Sequence, residues 1–310
     1  TTHVNLTSGS GAGGAVGVAG SFLVNVGQTT TKAYVGDADS ATTLDLTGDA
    51  RIAATTRNDM QGIAVSGAVG GPAGVAGMAI VNVVGNDTQA WLENATAGIG
   101  GTFDVSAREE LDLRAYSGAL GVSRGGRGVG APGSIAVPGG SVTAAVANRD
   151  VDAAGAMRVD ADSDRKLDAI TITAGVGQTA GIGGAASLVM IGDGERGDAN
   201  DELDSGGDGT VSRLDDLTRL GRVDSALVGD ALSESERQRI NNRSSYDLKD
   251  ATGGGHDGVY ASVSGGSVDA ASLAVSAEST VTAENRVGAL GASLGVGVGG
   301  SFAYTGLYGT

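Results

Sequence analysis

A repeated strand-like block is the feature that most constrains how this chain of 310 residues folds. The block joins an apolar residue, a variable residue and an alanine, and its alanine recurs at Ala54, Ala107, Ala161 and Ala277. The first three copies are 53 and 54 residues apart, whereas the fourth follows after a further 116 residues. A fixed period of this length is typical of stacked repeats, each of which packs on its neighbour. The long last interval predicts one insertion of about 62 residues.

Residues 192–257 supply this insertion, because they are the only long stretch crowded with charges and Gly-Asp pairs. We therefore divide the chain into repeats over residues 1–191, an acidic insertion over 192–257 and a continuation of the repeats over 258–310. Within the insertion, an apolar stripe from Leu214 to Leu232 at roughly helical spacing predicts two or three short helices. Ser212 and Ser233 resemble their N-terminal caps.

A period of 53 to 54 residues divides naturally into three coils of about 18, a plausible circumference for a parallel β-solenoid. Polar and apolar residues alternate at 43–47, 103–107 and 273–277, as in strands with one face on a core. The 56 glycines and few aromatic residues suit a narrow interior with tight corners. The sequence thus predicts an all-β solenoid with about three coils in each repeat. A β-sandwich is the main alternative.

Composition excludes several other classes of protein. A chain without cysteine cannot be a disulfide scaffold. A net charge of -16 argues against nucleic acid as a partner, since phosphate recognition needs a basic face. Uncharged runs such as residues 62–85 are long enough to cross a bilayer as a helix, but their glycines and Pro72 favour buried strands. We expect a chain that does not span a membrane, and one that begins as a mature or excised segment, since no signal peptide is visible.

The order of motifs within a repeat resembles that of a known family. A Gly/Ala-rich run leads into Val24-Asn25-Val26 or Val81-Asn82-Val83, then into Ala-Tyr-Val-Gly-Asp at 33–37 or Ala-Trp-Leu-Glu-Asn at 90–94, and then into a strand ending Val-Ser-Ala. This order resembles the repeats of large filamentous adhesins of Gram-negative bacteria, the leukotoxin-type and filamentous-haemagglutinin-like surface proteins. The resemblance covers nearly the whole chain.

This resemblance implies a right-handed β-helix, secretion to the cell surface, and a role in adhesion or in an extracellular filament. It implies a protein or glycan on a neighbouring cell surface as partner, or self-association, and it brings no catalytic residues. The third copy departs from the family pattern at Pro132, Pro138 and Arg124-Gly-Gly-Arg127. We expect a loop or a bend there in place of a regular coil.

The insertion holds two candidate sites. Its carboxylates can supply oxygen ligands to Ca²⁺, although their spacing only loosely resembles an EF-hand loop and does not match the Gly-Gly-x-Gly-x-Asp nonapeptide repeat. A solvated acidic loop is the simpler interpretation. The candidate calcium ligands are Asp193, Asp198, Asp201, Asp204 and Asp208. Arg196-Gly197-Asp198 is the tripeptide that integrins recognise, but a match of this length is expected by chance in such a composition. No other cofactor is indicated.

A polysaccharide lyase or hydrolase is the competing class, because such enzymes also use parallel β-helices. Their sites need carboxylates that converge in a cleft, commonly beside aromatic platforms. Here the two histidines, His3 and His256, lie far apart in the sequence. Other charged residues are interpreted as solvated, on an outward strand face or as ordinary surface charges: Asp160, Asp162, Asp164 and Asp168, Arg108 to Glu110, and Arg165 with Lys166. We therefore expect no enzyme.

A self-assembling extracellular filament is the other alternative. The C-terminal region concentrates aromatic and apolar residues in a chain that otherwise avoids aromatics: Phe302, Tyr304, Leu307 and Tyr308. They are candidates for a contact between solenoid ends, because an uncapped solenoid exposes its core and its strand edges. The simpler interpretation is that they pack beneath the next coil of a longer chain.

Overall fold

The structure is a computed structural model that describes residues 1–36, 39–191 and 258–307. The described residues form β-strands and no helix, and all of their strand pairs are parallel. This confirms the predicted all-β fold, with long parallel strands of the kind found in a solenoid. The strands are β1 (Thr2–Val35), β2 (Thr42–Leu46), β3 (Ala50–Glu93), β4 (Ala95–Ile99), β5 (Phe103–Ser123), β6 (Arg127–Gly177), β7 (Ala180–Ile191), β8 (Gly258–Ser293) and β9 (Val296–Leu307).

Neighbouring strands align residues that are one motif interval apart in the sequence. Ala50 lies beside Phe103, which lies beside Met157, which in turn lies beside Leu273. Because a parallel neighbour is reached only after a full circuit of the chain, one circuit spans one such interval. We call each circuit a level. No described strand pairs with a segment about 18 residues away, so the prediction of about three coils in each repeat is wrong.

Each level is flattened, and this is why it accommodates so long a circuit. In the second level an outgoing side at residues 50–70 turns at 71–72, and a returning side follows at 73–93. The short strand β4 then closes the opposite end of the level, which we call the wide end. Residues on the outgoing side pack against residues on the returning side of the same level, as Ile52 does in one cluster with Leu92 and as Met60 does in another with Ile80.

The two sides converge at the turn between them, which we call the narrow end. Alanine lies there in the second level, at Ala68, and glycine takes the equivalent positions Gly121 and Gly175 in the next two levels. A Cβ atom built on Gly175 would lie 1.9 Å from the carbonyl oxygen of Ile182. The same atom on Gly121 would lie 1.9 Å from the carbonyl oxygen of Val129. No real Cβ contact is this short, so a side chain here would force the two backbones apart. Much of the glycine in this chain thus serves the close approach of the two sides.

The third copy of the repeat is regular, contrary to the expectation of a loop or a bend. Pro132 and Pro138 lie within the continuous strand β6, in register with Met78 and Val84. The break at residues 124–126 falls between β5 and β6, where the level turns from its outgoing to its returning side. The arginines therefore occupy a corner that every level needs.

The apolar runs at first suggestive of a membrane span form strands in this fold. Among residues 1–36, 39–191 and 258–307, no helix has the length and apolar character to cross a membrane. The insertion at 192–257, and with it the predicted helices, lies outside the described residues.

Substitution of glycine at the narrow end should destabilise the fold. We expect Gly175→Ala to lower the thermal midpoint measured by circular dichroism, because overpacking against backbone costs about 1–3 kcal/mol. Gly67→Ala is the matched control, since a Cβ on Gly67 meets nothing within 4 Å. That control should leave the midpoint unchanged or raise it slightly. Equal midpoints for the two variants would contradict the proposed close approach.

Candidate functional site

The outer surface of the outgoing side is charged over the half nearer the wide end, because residues of outward parity there are mainly acids, bases and hydroxyl residues. Parallel register places equivalent positions of successive levels side by side, and opposite charges meet across levels. Arg51 Nε lies 3.2 Å from Asp104 Oδ2, and Arg108 Nε lies 3.5 Å from Asp162 Oδ2. Each exposed pair contributes little alone. Register also brings like charges together, as at Glu110 and Asp164, and there Arg57 and Lys166 lie beside the two carboxylates.

Four of the aspartates of β6, those from Asp160 to Asp168, share this outward face, as their spacing indicates, and each lies beside a basic side chain. Asp160 pairs with Arg158, Asp162 with Arg108, Asp164 with Lys166, and Asp168 with Arg286. The hydrogen bond from Lys166 to Asp164 raises the pKa of the lysine, which keeps its charge. Burial raises the pKa of Tyr116, whose hydroxyl also donates to Asp168 at 3.1 Å. These carboxylates neutralise cations instead of converging on a reactive centre.

A charged pair lies inside the solenoid, where we expected solvated residues. Glu109 is 0% exposed and Arg165 is 6% exposed. Arg165 donates from Nη2 to Glu109 Oε2 at 2.8 Å and from the same nitrogen to the Gly140 carbonyl oxygen at 2.8 Å. The interpretation of Glu109 and Arg165 as solvated surface charges is therefore wrong. Arg108, Glu110 and Lys166 do lie on the outer surface.

The remaining acceptors of the Glu109 carboxylate are used as well. Ser163 Oγ donates to Oε2 at 2.9 Å, and Asn86 Nδ2 donates to Oε1 at 2.8 Å. Asn86 belongs to the preceding level, where Asn58 donates to its Oδ1 across the interior at 2.6 Å. A row of threonine hydroxyls runs beside it through Thr88, Thr56 and Thr31. We call these residues the buried polar row.

The alternation of side chains along each strand places this row in the interior of the fold. Glu109 stands between the inward-facing Ala107 and Leu111, and Arg165 stands two residues before the inward-facing Leu167. The period of two along the strand would have identified both residues, but their charge suggested solvent instead. A buried ion pair that loses one partner leaves an uncompensated charge in a low dielectric. The row lies between two apolar clusters, one at the wide end and one in the middle of each level. A shift of one level along its neighbour would separate the two charges, so the row favours the observed register.

Carboxylates also fasten the corners of adjacent levels. Asp49 Oδ1 accepts hydrogen bonds from the Thr102 backbone N–H at 2.7 Å and from its hydroxyl at 2.9 Å. Asp150 Oδ1 likewise accepts from the backbone and hydroxyl of Ser267, and Asp87 from Ser141. The backbone hydrogen bond from Thr102 is the main cause that lowers the pKa of Asp49. The hydroxyl of Ser267 lowers that of Asp150 in the same way.

An aromatic stack lies on the returning side near the wide end. The rings of Tyr34 and Trp91 are 4.7 Å apart and nearly parallel, and Lys32 Nζ lies 5.6 Å from the Trp91 ring centre. Tyr34 is 60% exposed, so the stack presents an aromatic surface to solvent. The C-terminal aromatics Phe302 and Tyr304 are also exposed on the returning side, whereas Tyr308 lies outside the described residues.

The candidate sites of the insertion lie outside the described residues. These are the proposed calcium ligands Asp193, Asp198, Asp201, Asp204 and Asp208, and the tripeptide Arg196-Gly197-Asp198. His256 also lies outside the described residues. His3 lies near the start of β1, where its Nδ1 is 3.6 Å from Asp59 Oδ2. In the part of the chain that the structure describes, no three His, Cys, Asp or Glu residues are grouped to hold a metal ion.

Comparison with known proteins gives no relative from which a role could be transferred. No protein family, curated protein or solved structure matches the chain at a significant level. Its function must therefore be argued from its own surfaces and from the stacking of its levels.

Removal of Glu109 should expose the cost of an unpaired buried charge. We expect Glu109→Ala to lower the free energy of unfolding by about 3–5 kcal/mol in chemical denaturation, because Arg165 keeps its charge without a carboxylate. Asp162→Ala, which removes an exposed partner of Arg108, should cost less than about 1 kcal/mol.

A double variant separates charge from packing. Glu109→Leu combined with Arg165→Met removes both charges while it fills the volume, and it should recover most of the lost stability. Equal destabilisation by Glu109→Ala and Asp162→Ala would show that the pair is not buried.

Acid should weaken the corner at Asp49. Since its folded pKa lies below the ordinary value of 3.8, its ionised form stabilises the fold above that value. This stability is lost as the pH falls through the lowered pKa. Asp49→Asn should therefore be less stable than the parent at pH 7, and the difference should shrink toward pH 2 in thermal melting. Thr102→Val, which removes the hydroxyl donor alone, should reproduce part of this effect. A difference that does not vary with pH would contradict this role of the carboxylate.

Proposed function

We propose that this chain is a structural segment of a large secreted or cell-surface adhesin, in which stacked levels form an elongated extracellular scaffold for attachment to a neighbouring cell. Its partner would be a protein or a glycan on that cell surface, and neither nucleic acid nor catalysis is involved. The finer fold in this proposal is a right-handed β-solenoid with one level per repeat of 53 to 54 residues, interrupted at 192–257 by a small helical insertion.

The stacking of the core carries this proposal. Val105 and Val159 lie side by side in interior levels and are 0% exposed, whereas Val275 continues the same column in the next level and is 44% exposed. Phe103, Met157 and Leu273 form a second column of this kind. Adding one more level would bury such a column at its end. This is the property expected of a scaffold that grows by repetition.

The surface fits a scaffold better than an enzyme. The acidic side chains of the outgoing side are paired with bases, and the buried carboxylate of Glu109 is enclosed. The exposed Tyr34 ring on Trp91 offers a flat aromatic surface for a sugar ring. Calcium bound by the acidic insertion, and recognition through Arg196-Gly197-Asp198, are further elements of the proposal that concern residues 192–257.

A self-assembling filament is the second candidate, because an open core column is also completed when another copy of the chain stacks on it. The open column at Leu273 and Val275 can take either the next level of the same chain or a level of another copy. Filament growth and adhesion differ in their readouts, since growth depends on protein concentration and adhesion on a foreign ligand.

Binding of the full chain to cell-surface material tests the adhesin proposal. We expect saturable binding to immobilised glycans or host surface proteins, with no sugar product released from polysaccharides. Tyr34→Ala should weaken glycan binding about tenfold, which corresponds to about 1.4 kcal/mol for the loss of an aromatic platform. Ser106→Ala on the charged outgoing side is the matched control. Release of product, or no binding to any cell-surface glycan or protein, would contradict the proposal.

A further inference from the structure

The outer surface of the returning side is apolar toward the narrow end in all five described levels. The outgoing side is charged over the half nearer the wide end and exposes apolar residues near the narrow end, among them Leu120, Ile172 and Leu290. One column of outward side chains on the returning side consists of Val18, Val75, Val129, Ile182 and Val298. Val18 is 66% exposed and Ile182 is 42% exposed. We call the surface formed by outward residues of 18–24, 75–81, 129–135, 182–188 and 298–304 the apolar outer face. None of its residues is charged.

A second column runs parallel to the first, six residues further along each strand. It consists of Val24, Val81, Ile135, Leu188 and Tyr304. Small residues occupy the positions between the two columns in the middle levels, among them Gly77, Ala79, Gly133 and Gly184. The face therefore has two apolar ridges on either side of a shallow furrow.

The fold does not require glycine in this furrow. A Cβ atom on Gly133 or on Gly184 would meet nothing within 4 Å, and one on Gly77 would make ordinary contact at 3.7 Å. The glycines of the narrow end, by contrast, have backbone in the way of any side chain. The small residues of the furrow therefore leave space on the outer surface and are not needed for packing within the fold.

We propose that the apolar outer face is an interface between two copies of this chain, packed face to face about a two-fold axis. Five strands about 4.8 Å apart, with segments of about seven residues at about 3.3 Å per residue, give a face of roughly 550 Å² per copy. A pair would bury roughly 1,100 Å² in total, which is just above the roughly 1,000 Å² expected of a specific interface and is typical of a weak, reversible dimer. Two sheets pack about 10 Å apart when their inner faces are apolar.

Charge favours a second copy over an unlike partner. A chain with a net charge of -16 repels its own copies unless they meet through an uncharged surface. Face-to-face packing of the returning sides places both charged outgoing sides on the outside of the pair. A two-fold axis also lets a ridge of each copy enter the furrow of the other, because the same patch is used twice.

This pairing deepens the proposed scaffold function, since it would make two solenoids run side by side. The argument for pairing uses only the apolar outer face, however, and its test measures molecular mass in solution instead of adhesion. Failure of pairing would leave the adhesin proposal intact, and failure of adhesion would leave the pairing intact.

Sedimentation equilibrium of the full chain tests the proposal. We expect a reversible dimer. Gly184→Leu should raise the dissociation constant of this dimer at least tenfold, because leucine would fill the furrow, and the fold has open space for its side chain. Ile135→Lys should weaken dimerisation further, since it places a charge on the second ridge, in the middle level of the face. Ser106→Lys adds the same charge to the outgoing side and should leave the dimer unchanged.

Circular dichroism and the thermal midpoint establish that each variant is folded before its mass is compared. A parent chain that stays monomeric at the highest soluble concentration would overturn the proposal, whether another part of the chain covers the face or solvent does. Equal dimerisation of the parent, Gly184→Leu and Ile135→Lys would overturn it too. A monomer that binds vesicles of neutral phosphatidylcholine, and loses this binding in Ile135→Lys, would assign the face to a lipid surface instead.

Discussion

In-register pairing of parallel strands is the interaction on which the rest of the structure depends. Because each residue lies beside its counterpart in the next level, side chains at equivalent positions of the repeat form continuous columns along the stack. An inward valine becomes an apolar column, and a glycine at the narrow end becomes a line of close backbone contact. Opposite charges face one another at Arg51, Asp104 and Arg158. Like charges face one another elsewhere, as Glu110 and Asp164 do, and nearby basic side chains compensate them.

The flattened cross-section follows from the same constraint. Two long sides can face each other only where their inward residues are small or fit together, and this chain supplies alanine, valine and glycine for that purpose. Polar groups inside so thin a body have no access to water, so Glu109 and Arg165 are satisfied by each other and by Asn86, Ser163 and Gly140. A pair placed in this way penalises any slip of one level against the next, because a slip would separate the two charges.

The period of the motifs was sufficient to predict the all-β class and the parallel stacking, since only a repeat brings Ala54, Ala107 and Ala161 into one column. The number of coils was not predictable from the period, because 53 residues can close as three short coils or as one long flattened circuit. The choice depends on whether residues such as Ile52 and Leu92 meet across the interior. Glu109 was readable from strand parity and was missed because residue type was given more weight. The insertion sites, Asp193 to Asp208 and Arg196 to Asp198, remain predictions.

The central claim is that one circuit of about 53 residues separates stacked neighbours, and dipolar spectroscopy of paired spin labels tests it most directly. The chain has no cysteine, so labels can be placed by two substitutions alone. Labels at Ala53→Cys and Ser106→Cys should lie within about 15 Å, because these residues are strand neighbours. Labels at Ala53→Cys and Val69→Cys should lie more than about 40 Å apart along one extended side. A short distance for the second pair and a long one for the first would contradict the account and restore a solenoid of 18-residue coils.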